Sequence, residues 1–256
     1  MLILFVFSAC NLNTPSGKNV LVYTRNGEGY VHDNIAASVE AIKAMGKEHG
    51  FHVDVSDTPS VFRDENLSRY DALIFSNTNN EVFETEGQKL ALVRYTEAGG
   101  GFVGIHSACA TERDWPWMWK LVGGKFVRHA PFQEFTMKVI DAEHPSTEFL
   151  TEDWTRADEC YYVNHINPAI HVLLAVDMTT VEDEGKEEYP GKTFGDLFPI
   201  AWCHEFDGGR QWFTSLGHSK EDYMMPLFYQ HLLGGIKWAM ANGKPDYSKA
   251  RAVNLN

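Results

Sequence analysis

The sequence predicts an α/β fold around a mostly parallel sheet. Three observations predict it. Short apolar runs of strand type alternate with amphipathic helix patterns through the first hundred residues. The runs DALIFSN and GFVGIH have continuous apolar centres, as strands covered on both faces do. The spacing between runs suits right-handed βαβ crossovers, which place parallel strands side by side and gather functional groups at their carboxyl ends.

The elements follow in order. NVLVYT at 19–24 is the first strand. Ile35, Val39, Ile42 and Met45 then form one apolar stripe that Gly50 stops. FHVDV is the second strand and DALIFSN, at 71–77, the third. Thr85 and Gln88 have capping-box spacing and open a helix running through LALVRYTEA to the glycines at 99–101. GFVGIH is the fourth strand. Beyond a segment at 110–165 that reads as a loop-rich insertion, EFTMKVID, HVLLAVD, PIAWCHEF and RQWFTSLG are strands, the last two a hairpin around Asp207-Gly208-Gly209. Met225, Phe228, Leu232, Ile236 and Ala239 mark a final helix ending at Gly243, with Pro245 beyond. One domain is expected over 19–245, with a tail at 246–256.

The 256 residues carry 44% hydrophobic side chains, enough for a sizeable core. The net charge of −13 is spread along the chain and repels phosphate backbones, so nucleic acid is not expected as a partner. Seven tryptophans fit either a core or a sugar-binding cleft, where flat rings cover the apolar faces of pyranoses. MLILFVFSAC reads as a bacterial lipoprotein signal over 1–9, with Cys10 as the lipidated residue and 10–18 as a polar linker. The expectation is an exported protein that meets a bacterial membrane only through that lipid. Cys109, Cys160 and Cys203 have no pairing or zinc spacing and read as core thiols.

Eleven histidines invite inspection, because imidazole titrates near neutrality. His49, His52, His171 and His231 fall within helix or strand patterns and read as surface or satisfied core groups. His32, His106, His129, His144 and His218 follow strand ends or sit among glycines and turns, where loops present groups to ligands. His144 precedes Pro145 and suits a structural turn. TRNGEGYVHDN is not a dinucleotide fingerprint, since His32 stands where the third glycine belongs. His106 occupies the elbow after the fourth strand, the position of a nucleophile in strand-elbow enzymes; imidazole there points to proton transfer or metal binding. Glu159, beside Asp158, offers a carboxylate to orient an imidazole or act as base. Arg210, after the hairpin glycines, fits a surface ion pair or substrate binding.

GGGFVGIHSA, GGKFVRH, the His144-Pro145 pair, DECYYVN and GGRQWFTSLGH together resemble the ThuA-like family, named for trehalose utilisation. The resemblance covers about 19–242. It implies a flavodoxin-like three-layer sandwich of the class I glutamine amidotransferase-like kind. Amidotransferases carry G-x-C-x-G at the elbow; this chain has Gly104-Ile105-His106-Ser107-Ala108, so glutamine amidotransfer is not expected, and Cys109 falls inside the following turn. The resemblance further implies catalytic residues His32, His106, His129, Glu159 and His218, with Tyr161, Trp202 and Arg210 as substrate-binding lining. His32, His106, His129 and Glu159 could converge on a divalent metal such as zinc, although no HExxH-type spacing marks one. The implied function is carbohydrate utilisation, on trehalose or another glycoside, by acid–base or metal-assisted chemistry on a sugar or keto-sugar: an isomerase, lyase or hydrolase. The alternative is a non-catalytic, lipid-anchored carbohydrate-binding protein that uses the tryptophans at 115–119.

Overall fold

A computed structural model describes residues 17–255. The expected signal at 1–9 and Cys10 lie outside the described residues. Strand β1 (Lys18–Tyr23) is followed by helix α1 (Ile35–His49), β2 (Phe51–Ser56), a single turn α2 (Asp64–Leu67), β3 (Ala72–Ser76), α3 (Glu86–Glu97) and β4 (Gly101–Ile105). The expected signals act as read. Ile42 and Met45 bury fully, and Gly50 ends α1 in the left-handed region. Thr85 Oγ1 accepts from the Gln88 amide while Gln88 Oε1 accepts from that of Thr85, closing the capping box on α3.

The rest of the chain adds α4 (Pro116–Val122), β5 (Lys125–His129), β6 (Gln133–Val139), β7 (Trp154–Asp158), β8 (Tyr161–Asn164), β9 (His171–Asp177), β10 (Leu197–Phe206), β11 (Gly209–Thr214) and α5 (Pro226–Ala239). Nine strands form one sheet in the order β2-β1-β3-β4-β11-β10-β9-β6-β7. The first five are mutually parallel, and β11 through β7 alternate in direction. Helices flank this mixed sheet in the three-layer arrangement of an α/β sandwich. The β10–β11 hairpin turns on Asp207 (φ 48°) and Gly208 (φ 94°), the two positive φ angles that match strand twist.

Two expectations are corrected. The 110–165 segment is not loop-rich: it holds α4 and four strands, β6 and β7 extending the sheet while β5 and β8 pair separately. Its seven-residue helix is too short to display a period, and β5 alternates only between half-buried and exposed positions. The tail is also part of the domain. The Arg251 and Ala252 amides donate to Glu97 Oε2 at 2.6 and 2.8 Å, and Asp246 N to Ala98 O at 2.8 Å. Among the described residues no helix is long and apolar enough to cross a membrane.

Because β11 lies against β4, the segment after Thr214 meets the end of β4. Below that edge α5 packs on β11 through His231, which is fully buried. Its Nδ1–H donates to Ser146 O at 2.8 Å, and Nε2 accepts from Thr214 Oγ1 at 3.1 Å. His144, the expected structural turn, accepts the Ser146 amide at Nδ1. Burial lowers His231 to about 3 and His144 to about 4.

Both imidazoles are neutral in the fold and protonate more readily when unfolded, near pH 6.5. Their contribution is therefore complete above about pH 6.5 and is lost as pH falls toward their folded values. Urea unfolding from pH 7 to 4.5 is expected to show stability falling by about 1.4 kcal/mol per pH unit for each such group. His231→Gln should shallow that slope by about one proton. An unchanged slope would contradict the assignment.

Candidate functional site

The apolar run of β4 ends at Ile105, and His106 begins a 3-10 turn over His106–Ala110 with φ 53°, left-handed for a non-glycine residue. The turn folds back closely. A Cβ on Gly104 would lie 2.9 Å from the Phe213 ring and 3.3 Å from the Ala108 methyl, so small residues are required on both sides. The His106 ring is wholly buried. Its Nδ1 lies 2.7 Å from Ser215 O, and a carbonyl can only accept; Nδ1 therefore carries the hydrogen and Nε2 is bare.

Three further groups surround that nitrogen. Tyr161 donates its hydroxyl to His106 Nε2 at 2.9 Å, and His32 Nε2 stands 3.1 Å away. Glu159 Oε2 lies 3.8 Å from it and 3.1 Å from His218 Nδ1, the latter an ion-pair contact off the angle of a hydrogen bond. Burial, then the adjacent His32, holds His106 well below the ordinary imidazole range. Burial, then His218, lowers His32 to about 4. His218 is raised, because the Glu159 carboxylate favours its proton.

His32, His106, Glu159 and His218 each offer one ligand atom, and the four atoms lie within 4.8 Å of one another. His32, Glu159 and His218 face a cavity of about 400 Å³, with His106 buried behind them; its remaining wall includes Tyr30, Asn79, Arg113, Phe126 and His129. Three imidazoles and a carboxylate suit a divalent transition ion. His218 takes the fourth place in this set, where sequence reading put His129. His129 stands at the cavity mouth, its Nδ1 donating to Ala130 O at 2.8 Å and lying 3.5 Å from Glu159 Oε1.

The five acid–base residues and Tyr161 thus meet in one place. Trp202 and Arg210 do not join them. Trp202 is a core residue, its Nε1 donating to Val122 O at 2.8 Å and its ring 4.5 Å from Phe213. Arg210 opens β11, away from the edge where His218 emerges, and lies over Trp238 at 3.9 Å. The 115–119 tryptophans also point elsewhere: Trp117 donates to Asp207, and Trp119 stacks on His165 beside a different cleft. Asn79 and Arg113 were missed. The only signal for Asn79 was the polar run SNTNN at the end of the third strand.

Asp158, beside Glu159 in sequence, holds the site together without facing it. Its buried carboxylate accepts from the amides of Glu159 (2.8 Å), Gly217 (2.8 Å) and His218 (3.2 Å). Arg156 pairs with it at 3.2 Å and with Asp222 at 2.5 Å. Asp158→Ala leaves Arg156 with one partner and three amides without an acceptor. A loss of about 3–5 kcal/mol in urea unfolding is expected; a change below about 1 kcal/mol would show that the carboxylate is not the anchor.

The profile of the ThuA family, described as trehalose utilisation, matches residues 19–239. No curated protein matches the sequence. Among solved structures, a ThuA-like protein from Bacteroides uniformis is 22% identical with a TM-score of 0.69, covering 95% of this chain and 100% of that one. A ThuA-like protein from Parabacteroides merdae is 18% identical with a TM-score of 0.68, over 93% and 97%. A GMP synthase protein from Thermoplasma acidophilum, 10% identical, aligns with a TM-score of 0.54 over 88% and 94%, which agrees with the amidotransferase-like fold. With its fold, its ordered motifs and a profile match over most of its length, the chain belongs to the ThuA family, implicated in trehalose utilisation.

Proposed function

We propose that this protein is a divalent-metal-dependent enzyme of carbohydrate utilisation that moves a proton at a carbon beside the carbonyl of a keto-sugar, leading to isomerisation or to cleavage of the glycosidic bond. The observation that carries the reading is that one ligand atom each of His32, His106, Glu159 and His218 lies within 4.8 Å of the others, beside the cavity. The donor set fits such an ion. Ser215 O turns the bare nitrogen of His106 toward its partners, a backbone contact of the kind that orients metal-ligating imidazoles. Burial keeps His32 and His106 neutral, the form in which imidazole ligates. When bound, a divalent ion supplies Lewis-acid polarisation of a substrate oxygen.

The chain's own groups supply the rest. His129 Nδ1–H is committed to Ala130 O, which leaves Nε2 free to take a proton at the cavity mouth. Burial raises the Tyr161 phenol well above its ordinary value, so it stays a hydrogen-bond donor. Tyr30 and Phe126 add aromatic surface to the wall, and the cavity volume of about 400 Å³ suits a small ligand. Export and lipidation at Cys10 complete the proposal and rest on MLILFVFSAC alone.

Metal analysis of the purified protein after incubation with zinc or manganese is expected to give one ion per chain, lost in His106→Ala and Glu159→Gln. Against keto-trehalose and related keto-glycosides, His129→Ala should keep the ion and lose about 10²–10⁴-fold in kcat. Turnover that survives chelation would overturn the metal. Sugar binding without turnover, unchanged in His106→Ala, would favour the non-catalytic alternative.

A further inference from the structure

We infer that the substrate of this cavity is a sugar bearing an oxyanion, a carboxylate or a phosphate, held by Arg113. The inference rests on the proposed reading of the site and selects a substrate class within it.

Arg113 lines the same cavity as the histidine cluster. It follows Glu112, whose backbone is left-handed at φ 50°. That turn sends the neighbouring acid elsewhere. Glu112 is buried, its Oε1 accepting from the Val82 and Phe83 amides at 2.9 and 3.1 Å and its Oε2 pairing with Lys89 at 3.0 Å. Glu159 is engaged with His218. No carboxylate among the described residues lies within 4.0 Å of the Arg113 guanidinium, in a chain with 35 acidic residues against 22 basic ones.

The guanidinium is also held in place. Nε donates to Ala110 O at 3.3 Å, Nη2 donates to Asn79 Oδ1 at 3.2 Å, and the group lies 5.4 Å from the centre of the Phe126 ring. Asn79 is itself oriented, since its Nδ2 donates to Tyr30 O at 3.1 Å and so turns Oδ1 toward Arg113. A guanidinium has five N–H bonds. Two are engaged here, and the other three meet no acceptor among the described residues. A fixed planar fork with open donors suits carboxylate or phosphate oxygens, which it can engage through two parallel bonds.

The charge balance points the same way. With a divalent ion in place, the cavity holds Arg113 and the ion against the single carboxylate of Glu159, an excess of positive charge within a strongly acidic protein. A neutral sugar leaves that excess uncompensated, whereas an oxyanion on the ligand offsets it. Within the family's broad setting this favours an acidic or phosphorylated sugar over a neutral disaccharide for this chain.

Isothermal calorimetry on the metal-loaded protein with D-glucuronate, D-glucose 6-phosphate and D-glucose tests the inference and separates carboxylate from phosphate. At least one charged sugar should bind about 10- to 100-fold more tightly than glucose. Arg113→Gln should abolish that preference while glucose affinity stays within about threefold, and Arg113→Lys should restore part of it. Equal affinities for all three sugars, no measurable binding of either charged sugar at millimolar concentration, or a preference that survives Arg113→Gln would overturn it. Turnover is assayed separately. Arg113-dependent binding without turnover upholds the oxyanion and rejects the reaction; turnover of neutral keto-glycosides with no charge preference does the reverse.

Discussion

One hydrogen bond organises the site: His106 Nδ1–H to Ser215 O at 2.7 Å. It joins the ends of two adjacent parallel strands, β4 and β11, across the edge where the functional groups collect. It also decides the chemistry available to His106. A carbonyl acceptor fixes the tautomer, so the second nitrogen turns a lone pair toward Tyr161 and His32 without needing a charge. Were Ser215 O displaced, the buried ring would lose its acceptor, and Nε2 would no longer be fixed as the bare nitrogen. The left-handed backbone of His106 is tolerable on the same terms. Such a conformation costs of order 1–3 kcal/mol and persists where surrounding contacts overdetermine it. Here those contacts are the tight packing of Gly104 on Phe213, the Ser215 bond and the Tyr161 hydroxyl.

Asp158 works at a larger radius. Glu159 lies in the link between β7 and β8, and His218 follows β11, so the two approach from distant parts of the chain. A single buried carboxylate receives amides from both segments. Arg156 balances its charge, and Asp222 extends the pairing to the turn before α5. The acidic neighbours Asp158 and Glu159 therefore divide the labour. One is a buried structural acceptor. The other faces the imidazoles.

Much of this was legible in the sequence where local physics is decisive. Doubly covered strands must be apolar, so β1, β3 and β4 stood out; the capping box and the Asp-Gly turn are chemical requirements of their elements. The site histidines were legible because they follow strand ends. Trp202 was not placed correctly, since Ala201 through Cys203 are all buried and alternation along β10 carries no inside-or-outside signal. Arg210 stands at the start of a parallel strand, whereas ligand sites lie where such strands end, so the glycines before it signal the hairpin and not the site. The choice between His129 and His218 as fourth member of the cluster depends on contacts across more than fifty residues of sequence, which no spacing encodes. Arg113 and Asn79 belong to no motif, and their place at the cavity comes with the turn that sends Glu112 away, which no local pattern encodes.

The replacement of cysteine by histidine at the elbow changes what the shared fold can do. An amidotransferase elbow needs a thiolate, and the nearest thiol here is that of Cys109. It is fully enclosed, lies 3.6 Å from the His106 carbonyl oxygen, and burial pushes its pKa well above the ordinary thiol range. It is therefore neither ionised nor presented to the cavity, and does not stand in for the elbow cysteine of an amidotransferase. The imidazole in its place turns its second nitrogen toward Tyr161 and His32. What the elbow retains is its geometry: a side chain held at the rim of the sheet, where β4 and β11 end. In this chain imidazoles, a phenol and a carboxylate surround that point.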